Sequence, residues 1–130
     1  MAVITTVEDL RALAKKRVPR MFYDYADSGS WTESTYRANE NDFQKIKLRQ
    51  RVAVDMSNRS TATKMVGVDA KMPVCIAPVG LTGMQHADGE IHAARAAEKF
   101  GIPFTLSTMS ICSIEDIAEH TSAPFWFSST

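Results

Sequence analysis

The chain has 130 residues, of which 45% are apolar and 23% charged, the balance of an ordinary soluble globular domain with a core to bury. Fifteen basic residues offset fifteen acidic ones, so no global field recruits nucleic acid or an anionic membrane, and the expected partner is a small molecule or another protein. The amino terminus lacks a basic segment followed by a long apolar one, and no stretch reaches the roughly 18 apolar residues of a membrane span; a cytoplasmic protein is expected.

Thr6 and Asp9 have the spacing of a capping box, and Val7, Leu10, Leu13 and Ala14 then recur at helical spacing until Pro19. Pro19 suits the opening turn of a second short helix, "PRMFYDYADS", which Gly29 can end through positive φ. Ser30 and Glu33 predict another capping box, opening a third helix with Tyr36 and Phe43 on one face. Between Lys47 and Met72 the short Val- and Thr-rich segments "LRQRVAVDM" and "TATKMVGVDAKM" read as strands or extended surface chain.

From Pro73 the pattern simplifies. An apolar run, Val74 to Ala77, is followed by a loop, a helix from Gly89 to Phe100, the stop signals Gly101 and Pro103, and a second apolar run at 104–107. Ser113 and Asp116 cap a further helix, "IEDIAEH", and "PFWF" at 124–127 reads as a third strand. The alternation is β-α-β-α-β, and strands apolar on both faces between helices point to a parallel sheet covered by helices. Two segments are therefore expected: 1–72, helices and extended chain, and 73–130, the first β-α-β-α-β units. A (β/α)₈ barrel needs about 250 residues, so the chain, which stops at "SST", reads as the opening section of one; an open three-stranded α/β domain is the alternative.

In parallel α/β architectures ligands sit beyond the carboxyl ends of the strands, which directs attention to the residues after each apolar run. After the first come Pro78, Val79 and Gly80, where glycine lets backbone approach a ligand; spacing alone favours a plain tight turn. After the second come Ser107, Thr108 and Met109, and after the third Ser128 and Ser129, hydroxyls that serve a ligand or merely end a strand. Tyr25, three residues from Phe22, reads from spacing as a core aromatic. His86, His92 and His120 are dispersed and read as surface residues, and no metal spacing, G-x-G-x-x-G or Walker motif is present. Cys75 and Cys112 belong to no ligand motif and read as buried thiols rather than a disulfide.

Three ordered stretches, "RVPRMFYDYADSGSWTESTYRANENDF", "MPVCIAPVGLTGMQHADGE" and "GIPFTLSTMSICSIEDIA", resemble the amino-terminal part of the FMN-dependent (S)-2-hydroxy acid oxidases and dehydrogenases. "RQRV", "APVGLTGM" and "IPFTLSTMS" are most similar to the bacterial L-lactate dehydrogenase branch. The resemblance implies a (β/α)₈ barrel preceded by helices, FMN as cofactor, and oxidation of an L-2-hydroxy acid, L-lactate first, to the 2-oxo acid. It implies that Tyr25 binds the substrate carboxylate, in place of the core role read from spacing, and that Met109 lies beside the substrate. Pro78, Val79 and Gly80 would lie against the flavin, with the Gly80 N–H directed to N5, and Ser107 would bond the polar edge of the ring. The family's histidine base, arginines and lysine belong to later strands, so no catalytic group is expected in this chain.

Where the family continues "FWFQLY", this chain reads "FWFSST", placing Ser128 at a position that lines the flavin site. The fragment is accordingly expected to be inactive alone, with the remaining barrel strands or self-association as partner, a homo-oligomeric state, and a parent peripheral to the inner membrane. The competing expectation is a non-catalytic folding or oligomerisation unit that hides its open sheet edges.

Overall fold

The computed structural model describes residues 3–129, and the chain divides into two units, Met1–Arg59 and Ser60–Thr130. In the first, Thr6 opens α1 (Val7–Arg17) through the expected capping box: its hydroxyl accepts from the Asp9 N–H at 3.3 Å, and the Asp9 carboxylate accepts from the Thr6 N–H at 3.0 Å. α2 (Arg20–Ala26) begins after Pro19, which sits at the cap itself. Gly29 does not end it by positive φ; a Cβ there would lie 2.7 Å from Cβ of Tyr36, so close approach is what requires the glycine.

α3 (Ser34–Asn41) departs from the expected cap. Glu33 takes left-handed backbone at its start and its carboxylate accepts from the Gly29 N–H at 3.2 Å, so no Ser30–Glu33 box forms. The helix then tightens into a 3₁₀ turn, Asp42–Lys45, which leaves Phe43 exposed while Tyr36 is half-buried.

Tyr23, rather than Tyr25, is the buried aromatic of α2. Its hydroxyl donates to Asp27 at 2.8 Å, Arg11 pairs with the same carboxylate at 2.8 Å, and Tyr36 donates to it at 3.3 Å, which ties α1, α2 and α3 through one side chain. Burial alone would push the Asp27 carboxyl up, but hydrogen bonds from Tyr23 and Arg11 and the guanidinium charge outweigh it and hold it below 3.8. A depressed carboxylate adds stability that is complete above the unfolded value and is lost as pH falls through the folded one. Asp27→Asn is expected to lower the stability of this unit at pH 7 by about 1–2 kcal/mol, since the group is partly exposed. The same substitution flattens the loss of stability below pH 3.8, read as urea midpoints by circular dichroism at pH 7 and pH 3.

The second unit opens with a hairpin, β1 (Thr63–Met65) against β2 (Val68–Ala70), with Met65 opposite Val68. Its two-residue turn, Val66 and Gly67, has φ of 46° and 82°, the positive pair that matches strand twist. Next comes the expected first barrel strand, which is reduced to a bridge at Ile76. Its N–H bonds the Pro103 carbonyl at 2.9 Å and its carbonyl takes the Thr105 N–H at 3.0 Å, pairing it in parallel with Phe104. Pro78 lacks the next donor on this side and the Val74 N–H turns to the Met72 carbonyl at 2.8 Å, so the ladder does not extend.

α4 (Thr82–Gln85), absent from the sequence reading, and α5 (Gly89–Phe100) follow. Gly101 ends α5 at φ 87°, where its N–H bonds the Glu98 carbonyl and that of Ile102 bonds Ala97, a complete Schellman closure. β3 (Thr105–Ser107) is the middle strand; β4 (Trp126–Ser128) pairs with it in parallel, with Leu106 opposite Phe127. α6 (Ile114–His120) lies between them in sequence, capped as expected by Ser113 and Asp116. Ile91, Ala94 and Ala97 of α5 pack on Phe104 and Leu106 of the central strand, and Ile117 of α6 closes the core. Small residues on α5 let the helix lie close to the sheet, the layering of a β-α-β unit.

Candidate functional site at the carboxyl end of the strands

The parallel order, Ile76 beside β3 beside β4, sends the three following loops to one end of the sheet. Ser107 and Ser128 are register partners there, so two of the candidate hydroxyl positions are brought side by side. Ser107 is buried, and its oxygen accepts from the Met109 N–H at 3.1 Å, which leaves its own proton to donate. The Leu81 N–H bonds the Met109 carbonyl at 2.9 Å, joining the loop after Ile76 to the loop after β3. Gly80 and Met109 thereby meet: a Cβ on Gly80 would lie 2.9 Å from Cβ of Met109. The glycine is required by packing between the loops, a reason that the sequence reading did not contain.

Val79 is 57% exposed, Pro78 is also exposed, and the Gly80 N–H makes no hydrogen bond among the described residues. Leu81 then takes left-handed backbone at φ 57°, a strained state for a branched side chain that the cross-loop bonds maintain. Met109 is exposed at the rim. Tyr25 belongs to the first unit and is 69% exposed; its hydroxyl is accessible, and the core role read from spacing does not hold.

The residue missed from sequence is Glu90, 2% exposed on the first turn of α5. One carboxylate oxygen accepts from the N–H of Gly83 at 3.2 Å and of Ile111 at 3.1 Å, and the other takes the Cys112 thiol at 3.4 Å. Burial pushes this carboxyl up, yet the donated N–H groups and the thiol more than offset it and hold it below its ordinary value; burial and Glu90 together push the thiol up. A glutamate at a helix N-terminus reads as a solvated partner of the dipole. The available signal was its place four and seven residues before Ala94 and Ala97, on the buried stripe.

Cys112 is buried as expected, whereas Cys75 is exposed, and both are free. The three histidines are exposed, with His86 and His92 in edge contact at 5.3 Å between ring centres. No cluster of metal-ligating side chains occurs among the described residues, nor any helix long and apolar enough to cross a membrane.

An apolar cavity of about 100 Å³ lies between α5 and the sheet, bounded by Ile76, Ala93, Phe104 and Leu106. Ligand pockets usually span about 300–1,000 Å³, so a tricyclic ring would have to lie on the outer rim. That rim suits the heteroatom edge of a flavin: an unpaired backbone N–H at Gly80, a hydroxyl proton at Ser107, and apolar surface at Pro78 and Val79.

The FMN-dependent dehydrogenase family model matches residues 14–130. The L-lactate dehydrogenase of Caulobacter sp. (strain K31) is 46% identical over 125 residues, 96% of this chain and 33% of that protein. That of Acinetobacter baumannii (strain ATCC 17978) is 48% identical over the same length, again 96% of this chain and 33% of the relative. The chain thus spans about a third of the length of these curated relatives.

Among solved structures, a soluble mutant of the membrane-associated (S)-mandelate dehydrogenase from Pseudomonas putida superposes with a TM-score of 0.89 at 42% identity, covering 96% of this chain and 36% of that one. The monotopic membrane protein (S)-mandelate dehydrogenase gives 0.89 at 40%, covering 97% and 34%. The architecture is accordingly the opening α/β section of a (β/α)₈ barrel preceded by helices. Motif order, strand topology and these likenesses agree: the chain belongs to the FMN-dependent dehydrogenase family, whose cofactor is FMN.

Proposed function

We propose that the chain is the amino-terminal part of an FMN-dependent dehydrogenase of L-2-hydroxy acids, with L-lactate as the first substrate to test. The observation that carries this reading is the convergence of Gly80, Ser107, Met109 and Ser128 at the carboxyl end of one parallel sheet in a chain of this family. When bound, FMN accepts the two electrons released as the substrate α-carbon becomes a ketone.

In this reading Pro78 and Val79 present apolar backbone to the ring, the Gly80 N–H donates to its N5, and the Ser107 hydroxyl donates to its polar edge. Ser128, in register with Ser107, offers a second hydroxyl position on the same rim. Met109 shapes the substrate side, and the exposed Tyr25 hydroxyl takes the substrate carboxylate. Proton abstraction is left to groups on later strands, so the chain is inactive alone. A membrane-peripheral parent is part of the reading, supported by the likeness to a monotopic membrane protein.

The chain mixed with a fragment carrying the remaining strands and FMN is expected to retain flavin after desalting and to reduce a dye with L-lactate, while neither piece does so alone. A desalted mixture without flavin or activity would overturn the reading. A second reading, a non-catalytic unit that self-associates, is favoured by the edge of β4 away from β3, which has no strand partner among the described residues. Sedimentation separates the two: a defined oligomer that persists in the presence of the other fragment supports self-association, and a monomer that joins it opposes that reading.

A further inference from the structure

α4, the loop after β3 and α5 are joined at the rim by a single buried carboxylate. Gly83 stands on α4, after the loop that carries Pro78–Gly80, and Ile111 and Cys112 stand on the loop that carries Met109. All three donate to Glu90, which is itself fixed on α5. A carboxylate removed from water is costly unless its oxygens are filled, and here one oxygen takes two N–H groups and the other a thiol. Gly83 gains this charged acceptor only with its own loop in place, and Ile111 and Cys112 only with theirs, so one side chain fixes both. The left-handed backbone at Leu81, with its bond to the Met109 carbonyl, lies between Gly80 and the Gly83 attachment, so its strain needs an anchor on each side.

We propose that Glu90 is a positioning residue for the flavin rim: it fastens the loop of Gly80 to the loop of Met109 and so sets where the Gly80 N–H stands. The assignment rests on the reading of Pro78–Gly80 as the flavin loop. Glu90 lies behind the loops among core residues, and it acts through their backbone.

Amide hydrogen exchange on the full chain tests it, with E90Q and E90L compared. The carboxamide oxygen of E90Q can accept both N–H groups, and protection at Gly83, Ile111 and Leu81 is expected to stay within about threefold of wild type. E90L fills similar space without an acceptor, and protection at the same three amides is expected to fall at least about tenfold while that of Ala97 in α5 is unchanged.

Leu81 does not bond Glu90, so its loss of protection reports loop placement rather than a missing acceptor. Retained protection at Leu81 in E90L would overturn the proposal, as would equal losses in E90Q and E90L. Should E90L fail to fold, E90M, unbranched and also without an acceptor, carries the same comparison. FMN added to the wild-type chain reassembled with the fragment that carries the remaining strands, and followed at the Gly80 amide, tests the flavin reading separately. No shift there overturns that reading and leaves the exchange result standing, and failure of the exchange test leaves the flavin reading standing.

Discussion

Ile117→Ala is expected to cost the second unit about 3 kcal/mol, within the 2–5 kcal/mol range of buried large-to-small changes. Ile117 has 0% exposure and is the buried side chain of α6, so its truncation leaves a void against Leu106 and Ile91 that a seven-residue helix capped at Ser113 has little freedom to fill. A unit of this size holds roughly 4–10 kcal/mol in total by the usual yield per residue, so the loss is a large share of it. Ile114, on the same helix but 45% exposed, supplies the contrast: Ile114→Ala should change stability by less than about 1 kcal/mol. Urea unfolding followed by circular dichroism reads both. Equal effects at the two positions would mean that α6 is not docked through Ile117.

The two capping boxes that formed, at Thr6 and Ser113, were legible because the signal is complete within four residues: a hydroxyl, two spacers and a carboxylate before an apolar run. Gly101 was legible for the same reason. The Ser30–Glu33 pair has an identical pattern and fails, because the Glu33 carboxylate is taken by Gly29 and its backbone turns left-handed. Local spacing cannot register that competition.

The parallel order of the strands was readable from alternation with helices, whereas their lengths were not, since Pro78 and the turn that takes the Val74 N–H leave the first with one paired residue. Tyr25 illustrates the limit of periodicity: Phe22 and Tyr25 share a helical face, yet Tyr23 is the residue buried, because its hydroxyl finds Asp27. Glu90 was hidden by its type. A carboxylate on a helical stripe of alanines is a conflict between charge and burial, and such conflicts mark positions where a network, not a core, is being built.

Gly80→Ala is expected to lower the stability of the second unit by about 1–3 kcal/mol, the usual cost of forcing a methyl into a filled space. In the reassembled protein it should also weaken FMN binding by at least about tenfold, or roughly 1.4 kcal/mol. The backbone of Gly80 is not in the positive-φ region, so alanine can adopt its conformation, and the penalty must come from contact. Two contacts compete as the cause. One is internal, the Cβ of Met109 at 2.9 Å from the position that a new methyl would take. The other is the flavin, which the proposed function places against the same backbone.

Met109→Gly removes the internal contact and leaves any external one, so the double variant separates them. If Gly80 serves both, Met109→Gly restores most of the stability lost in Gly80→Ala, with a coupling of about 1–2 kcal/mol in the denaturation cycle, and FMN affinity stays depressed. FMN binding is the quantity to read, because Met109 is also assigned to the substrate side and turnover would mix the two effects. Recovery of FMN affinity in step with stability would show that the glycine exists for the fit of one loop on another, and the assignment of Pro78, Val79 and Gly80 to the flavin would then have lost its physical basis.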